Sequence, residues 1–306
     1  MWRKKNNYEY CNYNIYSVKP RGRKTLVVYI IIMSIIILFC LVKITIYCFE
    51  IIQNNNFYQK YENQLTALEM QSNLGNKQEN NNKIKLPQLT EIGMQNISKI
   101  YTSDTKRVFL TFDDGPSTNT SSILDILKNE NVTATFFMLG NFVETQPEIV
   151  KRAYEEGNYI ANHGYSHVYS NIYSSPESVL DEYNKCNLAV QNAIGNSEYN
   201  SHLFRFPGGL AGGKYATLKM QAKQLLNENN IVNVDWNALT GDSETRTPTE
   251  EFLMERLRST CEGKNSVVLL MHDSPSKEIT IKVLPQVISY LKEQGYEFKN
   301  FYEIIK

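Results

Sequence analysis

Val108-Phe109-Leu110-Thr111-Phe112-Asp113-Asp114-Gly115-Pro116 is an apolar strand that runs into two adjacent carboxylates and a turn enforced by glycine and proline. Two of the chain's four histidines lie at Asn162-His163-Gly164-Tyr165-Ser166-His167 and a third at Leu270-Met271-His272-Asp273, each closely following an apolar run. Carboxylate and imidazole therefore collect at strand ends, where parallel α/β architectures gather their functional residues.

Working outward from that stretch, short apolar runs alternate with longer amphipathic segments from Lys106 onward, the pattern of repeated βα units and a parallel sheet. The runs predict strands near 107–112, 133–139, 158–162, 203–206, 231–236, 266–271 and 296–298. Helices are predicted over 119–130, 146–156, 176–194, 214–228, 248–262, 279–293 and 301–305. Ser175-Pro176 signals a helix start, and Thr247-Pro248-Thr249-Glu250 reads as a capping box with Thr247 as the cap. Seven units in about 200 residues suggest a closed barrel of parallel strands, fewer than eight in number. A doubly wound open sheet is the competing topology, which periodicity does not separate from it.

The rest of the chain reads differently. Seven basic residues before position 25 stand against Glu9 alone, and Thr25 to Val42 is free of charge, with the apolar run resuming after Lys43 to Phe49. At ~1.5 Å per residue this spans a ~30 Å hydrocarbon core. Cys48-Phe49-Glu50 offers no small-residue cleavage site. The expectation is a basic cytoplasmic tail over 1–24, a transmembrane signal anchor over 25–49, a polar spacer rich in Asn, Gln, Lys and Glu over 50–104, and an extracytoplasmic folded domain over 105–306. A coil-like spacer of that length samples ~40 Å. With zero formal net charge, nothing suggests attraction to nucleic acid. Cys186 and Cys261 lack disulfide or zinc spacing and read as buried small residues on helices.

His163 and His167 are four apart, so one turn can aim both imidazoles at one point, and a single carboxylate would complete a facial set for a divalent ion. The two aspartates should divide the work. A metal ligand must stay ionised, whereas its neighbour can accept a proton from the attacking water.

Thr-Phe-Asp-Asp-Gly, His-x-x-x-His, Arg-x-Pro-x-Gly, Asp-Trp and Leu-x-His occur here in that order, and roughly 105–306 thereby resembles the polysaccharide deacetylases of carbohydrate esterase family four, the NodB-like domains. The resemblance implies a distorted (β/α)7 barrel with parallel strands and a metal-dependent enzyme, with zinc, cobalt or another divalent ion, that removes N-acetyl or O-acetyl groups from glycans. It implies Asp113 as general base, with Asp114, His163 and His167 as metal ligands. Arg205 would pair with the base in a bidentate grip, and the Gly208 N–H would stabilise the oxyanion. His272 would be the general acid, oriented by Asp235, and Trp236 and Leu270 would wall the acetyl pocket. His202 matches no motif. One departure is Gly164, where the family often has a Ser or Thr whose hydroxyl braces the loop. Asp114 is retained where a muramic-acid subgroup has Asn. Joined to the anchor, these features imply a membrane-tethered peptidoglycan N-acetylglucosamine deacetylase, with protein partners unspecified. A deacetylase of another poly-N-acetylglucosamine or chitin-like polymer, an acetyl xylan esterase and a non-catalytic glycan-binding protein are the alternatives.

Overall fold

The computed structural model describes Lys43 and residues 86–305. The expected tail, the anchor apart from Lys43 and most of the spacer lie outside the described residues. Among those described, no helix is long and apolar enough to cross a membrane.

Eight parallel strands form one sheet: β1 Arg107–Asp113, β2 Thr135–Met138, β3 Tyr159–Asn162, β4 Leu203–Phe204, β5 Val232–Asn233, β6 Ala238–Leu239, β7 Ser266–His272 and β8 Glu297–Lys299. Their order is β5-β4-β3-β2-β1-β7-β6, with β8 paired to β1 off this path. The sheet does not close. β5 and β6 end it on opposite sides, so the expected seven-stranded barrel is an open, curled half-barrel. The reason is local: six residues after β5 starts, the chain has already passed through Trp236 into the two-residue β6, too short a path for a crossover helix.

Helices cover the convex face: α2 Thr118–Glu130, α4 Pro147–Glu155, α6 Pro176–Ile194, α7 Ala216–Glu228, α8 Glu250–Cys261 and α9 Glu278–Glu293, with short α3 Gly140–Thr145 and α5 Tyr169–Ile172 at strand ends. Ser175 caps α6 with Pro176 at its first turn, as its sequence predicts. The α8 cap is Thr249, which accepts from the Phe252 N–H, two residues later than the predicted box. Pro248 then falls outside the helix, where a missing N–H costs nothing.

Strand alternation sorts the core. On β1, Val108, Leu110 and Phe112 pack with Ile123, Leu124, Val283, Leu284 and Val287 from the helices. Phe109 faces the concave side with Phe137, Tyr159, Leu203 and Val268. That concave side is filled by Ile97 and Ile100 from α1 (Glu91–Ser98) and its following turn, and by Phe301, Ile304 and Ile305 beyond β8. Composition places residues 86–104 in the spacer, yet Ile97 and Ile100 pack into the domain, and Arg107 donates to the Lys99, Ile100 and Thr102 carbonyls. Cys186 and Cys261 are buried free thiols on α6 and α8.

Candidate active site

Period-two alternation places Thr111 and Asp113 on the concave face with Phe109. The parallel register sets Thr111 beside Leu270 and Asp113 beside His272. From β4, Arg205 crosses this face fully buried. Its Nη1 donates to Asp113 Oδ1 at 2.7 Å and to Thr111 Oγ1 at 2.8 Å, Nε to the Val234 carbonyl at 2.9 Å and Nη2 to the Asp235 carbonyl at 3.1 Å. Its guanidinium lies 3.9 Å from the Phe137 ring centroid. The expected bidentate grip on Asp113 is instead one nitrogen on one oxygen, with the other donors spread over backbone and hydroxyl acceptors. Burial pushes the Asp113 carboxyl up, and Arg205 and then His272 pull against that rise.

The turn after β1 is held by its neighbours. Asp114 takes a left-handed φ of 74°. Ser117 caps α2 and donates to the Asp273 carbonyl, and Thr120 donates to Asp273 Oδ2. Asp273 lies so close to Gly115 that a Cβ there would stand 2.2 Å from Oδ2, so position 115 admits only glycine.

Asp114 faces the two histidines. His163 Nδ1 donates to the Arg205 carbonyl at 2.8 Å, which leaves the Nε2 lone pair bare, 3.6 Å from Asp114 Oδ1. His167 Nε2 is 3.4 Å from the same oxygen. Burial drives His163 down to about 3, so its imidazole is neutral, as a ligand must be. Asp114 Oδ1 is buried with no hydrogen-bond partner. Three donor atoms from Asp114, His163 and His167 lie within 4.8 Å of one another. Two imidazole nitrogens and one otherwise orphaned carboxylate oxygen fit a divalent cation with open positions.

The loop between the histidines, where Gly164 offers no hydroxyl, is braced from α6. Glu182 of α6 accepts from the Tyr165 and Ser166 N–H groups at 2.6 and 2.7 Å through Oε2, and from Ser166 Oγ at 2.7 Å through Oε1. Gly164 has φ 89°, and a Cβ there would meet Ile172 at 3.0 Å.

His272 lies 16% exposed at the end of β7. The carboxylate bonded to it is Asp242, not Asp235 as the sequence reading paired it. Asp242 Oδ1 stands 2.8 Å from His272 Nδ1, while Oδ2 accepts from the His272 N–H at 2.7 Å and from Thr280 Oγ1 at 2.9 Å. Burial opposes the imidazolium, but Asp242, Asp113 and Asp114 outweigh it and hold His272 up to about 9. Its Nε2 makes no hydrogen bond within the described chain. Asp235 instead accepts from the Leu210 N–H at 3.0 Å, bracing the loop after Arg205. Trp236 packs its ring edge on Gly209, and Leu270 is buried beside Thr111, so both border the Arg205 side of the site. His202 binds the Asn230 carbonyl in a turn, away from these groups.

A carboxylate held by a buried cation, a bare two-histidine, one-carboxylate cluster and an imidazole held protonated converge at the carboxyl ends of a curled parallel sheet, an arrangement suited to the hydrolysis of an acyl bond. The comparisons name the class: the polysaccharide deacetylase family profile matches residues 101–226. A Streptococcus mutans CE4 esterase structure superposes with a TM-score of 0.64 at 30% identity, covering 72% of this chain and 99% of that one. YheN of Bacillus subtilis is 35% identical over 196 residues, 63% of this chain and 66% of that protein. The Listeria monocytogenes peptidoglycan-N-acetylglucosamine deacetylase PgdA is 32% identical over 203 residues, 65% of this chain and 39% of that protein. The chain belongs to the polysaccharide deacetylase (CE4, NodB-like) family, and its match spans about two fifths of the length of the Listeria relative.

Proposed function

We propose that this protein is a membrane-anchored, divalent-metal-dependent deacetylase that removes N-acetyl groups from N-acetylglucosamine of peptidoglycan outside the cell. The observation that carries the chemistry is the division of labour between adjacent carboxylates: Asp113 is held by Arg205, while Asp114 Oδ1 stands unpartnered among His163 and His167. The substrate rests on the likeness to relatives named as peptidoglycan deacetylases. The anchor rests on the uncharged run from Thr25 to Val42 and its basic flank.

Asp114, His163 and His167 would hold the cation. When bound, it supplies a Lewis acid that lowers the pKa of water and polarises the acetamide carbonyl. Asp113, made more basic by burial, takes the proton from the attacking water. Arg205 keeps that carboxylate aimed into the site. The Gly208 N–H, which has no partner within the described chain, donates to the developing oxyanion. His272, protonated through Asp242, gives its Nε2 proton to the departing amine, and acetate and glucosamine are the products. Trp236 and Leu270 shape the space for the acetyl methyl.

The test is acetate release by the chelated and then zinc- or cobalt-reloaded protein, on purified peptidoglycan and on N-acetylglucosamine oligomers, with mass spectrometry of the products. Metal-dependent loss of acetyl from glucosamine in peptidoglycan is expected. Release from the oligomers alone would move the substrate to another N-acetylglucosamine polymer, and no release from either would leave a glycan-binding protein.

A further inference from the structure

The loop after Arg205 contains a peptide unit held unusually firmly from behind. Gly208 has φ 73° and Gly209 φ 74°. Gly208 is exposed, and its N–H donates to no group of the described chain. Tyr169, whose ring lies 5.7 Å from that of His167, sets its hydroxyl against Gly208, where a Cβ would meet it at 2.6 Å. Gly208 therefore lies on the histidine side of the site.

Two buried side chains hold the other end of the same peptide. Tyr173 Oη donates to the Pro207 carbonyl at 2.7 Å, and Lys219 Nζ donates to it at 3.2 Å and to the Gly209 carbonyl at 2.6 Å. Tyr173 is 3% exposed and Lys219 4%. The lysine lies 4.8 Å from the tyrosine ring centroid, and among the described residues it feels the charge of Asp235 without forming an ion pair with any carboxylate. A buried ammonium is costly unless its donors are used, and here they are used on two backbone carbonyls that flank one free N–H.

In a trans peptide the C=O and N–H point in opposite directions, so fixing the Pro207 oxygen fixes where the Gly208 N–H points. Two donors on that oxygen also polarise the unit and strengthen the N–H as a donor. With glycines at 208 and 209, the backbone itself supplies little resistance to a flip of this plane.

We propose that Lys219 and Tyr173 are positioning residues that lock and polarise the Pro207–Gly208 peptide, so that its N–H is preorganised for an oxyanion. The inference rests on the deacetylase reading above. It assigns to a lysine in the first turn of α7 a role in transition-state stabilisation without contact with substrate.

The test uses the full-length metal-loaded protein and its Lys219→Met and Tyr173→Phe variants, measuring kcat and KM on N-acetylglucosamine oligomers, metal bound per chain, and thermal melting. Losing an oxyanion donor outright costs about 10²–10³ in kcat, and misaligning it is expected to lower kcat by at least about ten-fold. KM and metal content stay within two-fold of wild type. Because both side chains act on one oxygen, the double variant is expected to fall short of the product of the singles. Tyr173→Phe removes a single oxygen and carries the test should Lys219→Met not fold. Unchanged kcat in the folded variants, or kcat lost in step with metal, overturns the inference alone. An inactive wild type on every acetylated glycan overturns the deacetylase reading and the inference with it.

Discussion

Replacing Asp242 with asparagine separates the charge at His272 from its geometry. The imidazole is held up to about 9 from an ordinary 6.5, although burial by itself acts in the opposite direction. That elevation corresponds to roughly 3 kcal/mol in favour of the imidazolium, and the Asp242 hydrogen bond and charge are the largest contributions raising it. An asparagine at 242 still accepts from Nδ1–H, but it favours the neutral tautomer, whose Nε2 has no proton to give. The pKa should then fall to 6.5 or below. An acid works while protonated, so activity is present below the His272 pKa and lost above it. At pH 8 the protonated fraction drops from about nine tenths to about 3%, a loss of about thirty-fold in kcat/KM, while at pH 6 the loss is small. A bound cation offsets the Asp113 and Asp114 contributions similarly in both proteins, so the observable is the displacement between their alkaline limbs. The assay is kcat/KM for acetate release from pH 5.5 to 10. An alkaline limb that stays within half a pH unit of wild type would falsify the pairing. Asp235→Asn should leave the limb in place, since Asp235 binds the Leu210 N–H and not His272.

Other outcomes follow from the same contacts. Asp113→Asn should retain metal and lose turnover, whereas Asp114→Ala or His163→Ala should lose both, as read by metal analysis beside acetate release; near-normal turnover in Asp113→Asn would sink the base assignment. Arg205→Lys gives up the Phe137 stacking and most of a four-acceptor network, and breaking a buried pair of this kind costs about 3–5 kcal/mol. Differential scanning calorimetry should show the melting temperature lowered by at least about 6 °C, and an unchanged melt would mean that lysine re-forms the network. Glu182→Gln removes the carboxylate that holds the Tyr165 and Ser166 N–H groups, and zinc affinity by calorimetric titration is expected to weaken about ten-fold or more. Wild-type affinity would show that the loop is stiff without it.

Long elements with a clean period and a cap were legible, such as α6 with Ser175 and Pro176. The β1 and β7 strands followed from short, nearly unbroken apolar runs. The fine structure was harder. β6 is two residues long, too short for any period to register, and missing it hid Asp242, which follows its end by the same strand-end rule that revealed Asp113. The Thr240-Gly241-Asp242 turn was the available signal. Asp235, next to Trp236, attracted the assignment because it matched a motif, whereas contact with His272 depends on how the chain turns after β6. Lys219 was hidden by its charge, although its spacing to Ala222 and Leu226 places it on the buried face of α7. The curled sheet stays open because β5 and β6 are joined by too little chain to carry a helix, a matter of connection length that the count of apolar runs does not weigh.

β1 shares one edge between two partners: β2 pairs with it from Thr111 to Asp113, and β8 from Arg107 to Phe109. Glu297 meets Arg107 across 190 positions of sequence. During synthesis, the first half of the strand that carries Asp113 thus waits with open backbone groups on that edge until nearly the whole domain has been made. Such distant parallel pairing is slow to form and exposes an apolar edge in the meantime. Substitutions in Glu297–Lys299 should therefore be felt in the yield of folded enzyme and in its dependence on chaperones, more than in the turnover of the molecules that complete the sheet.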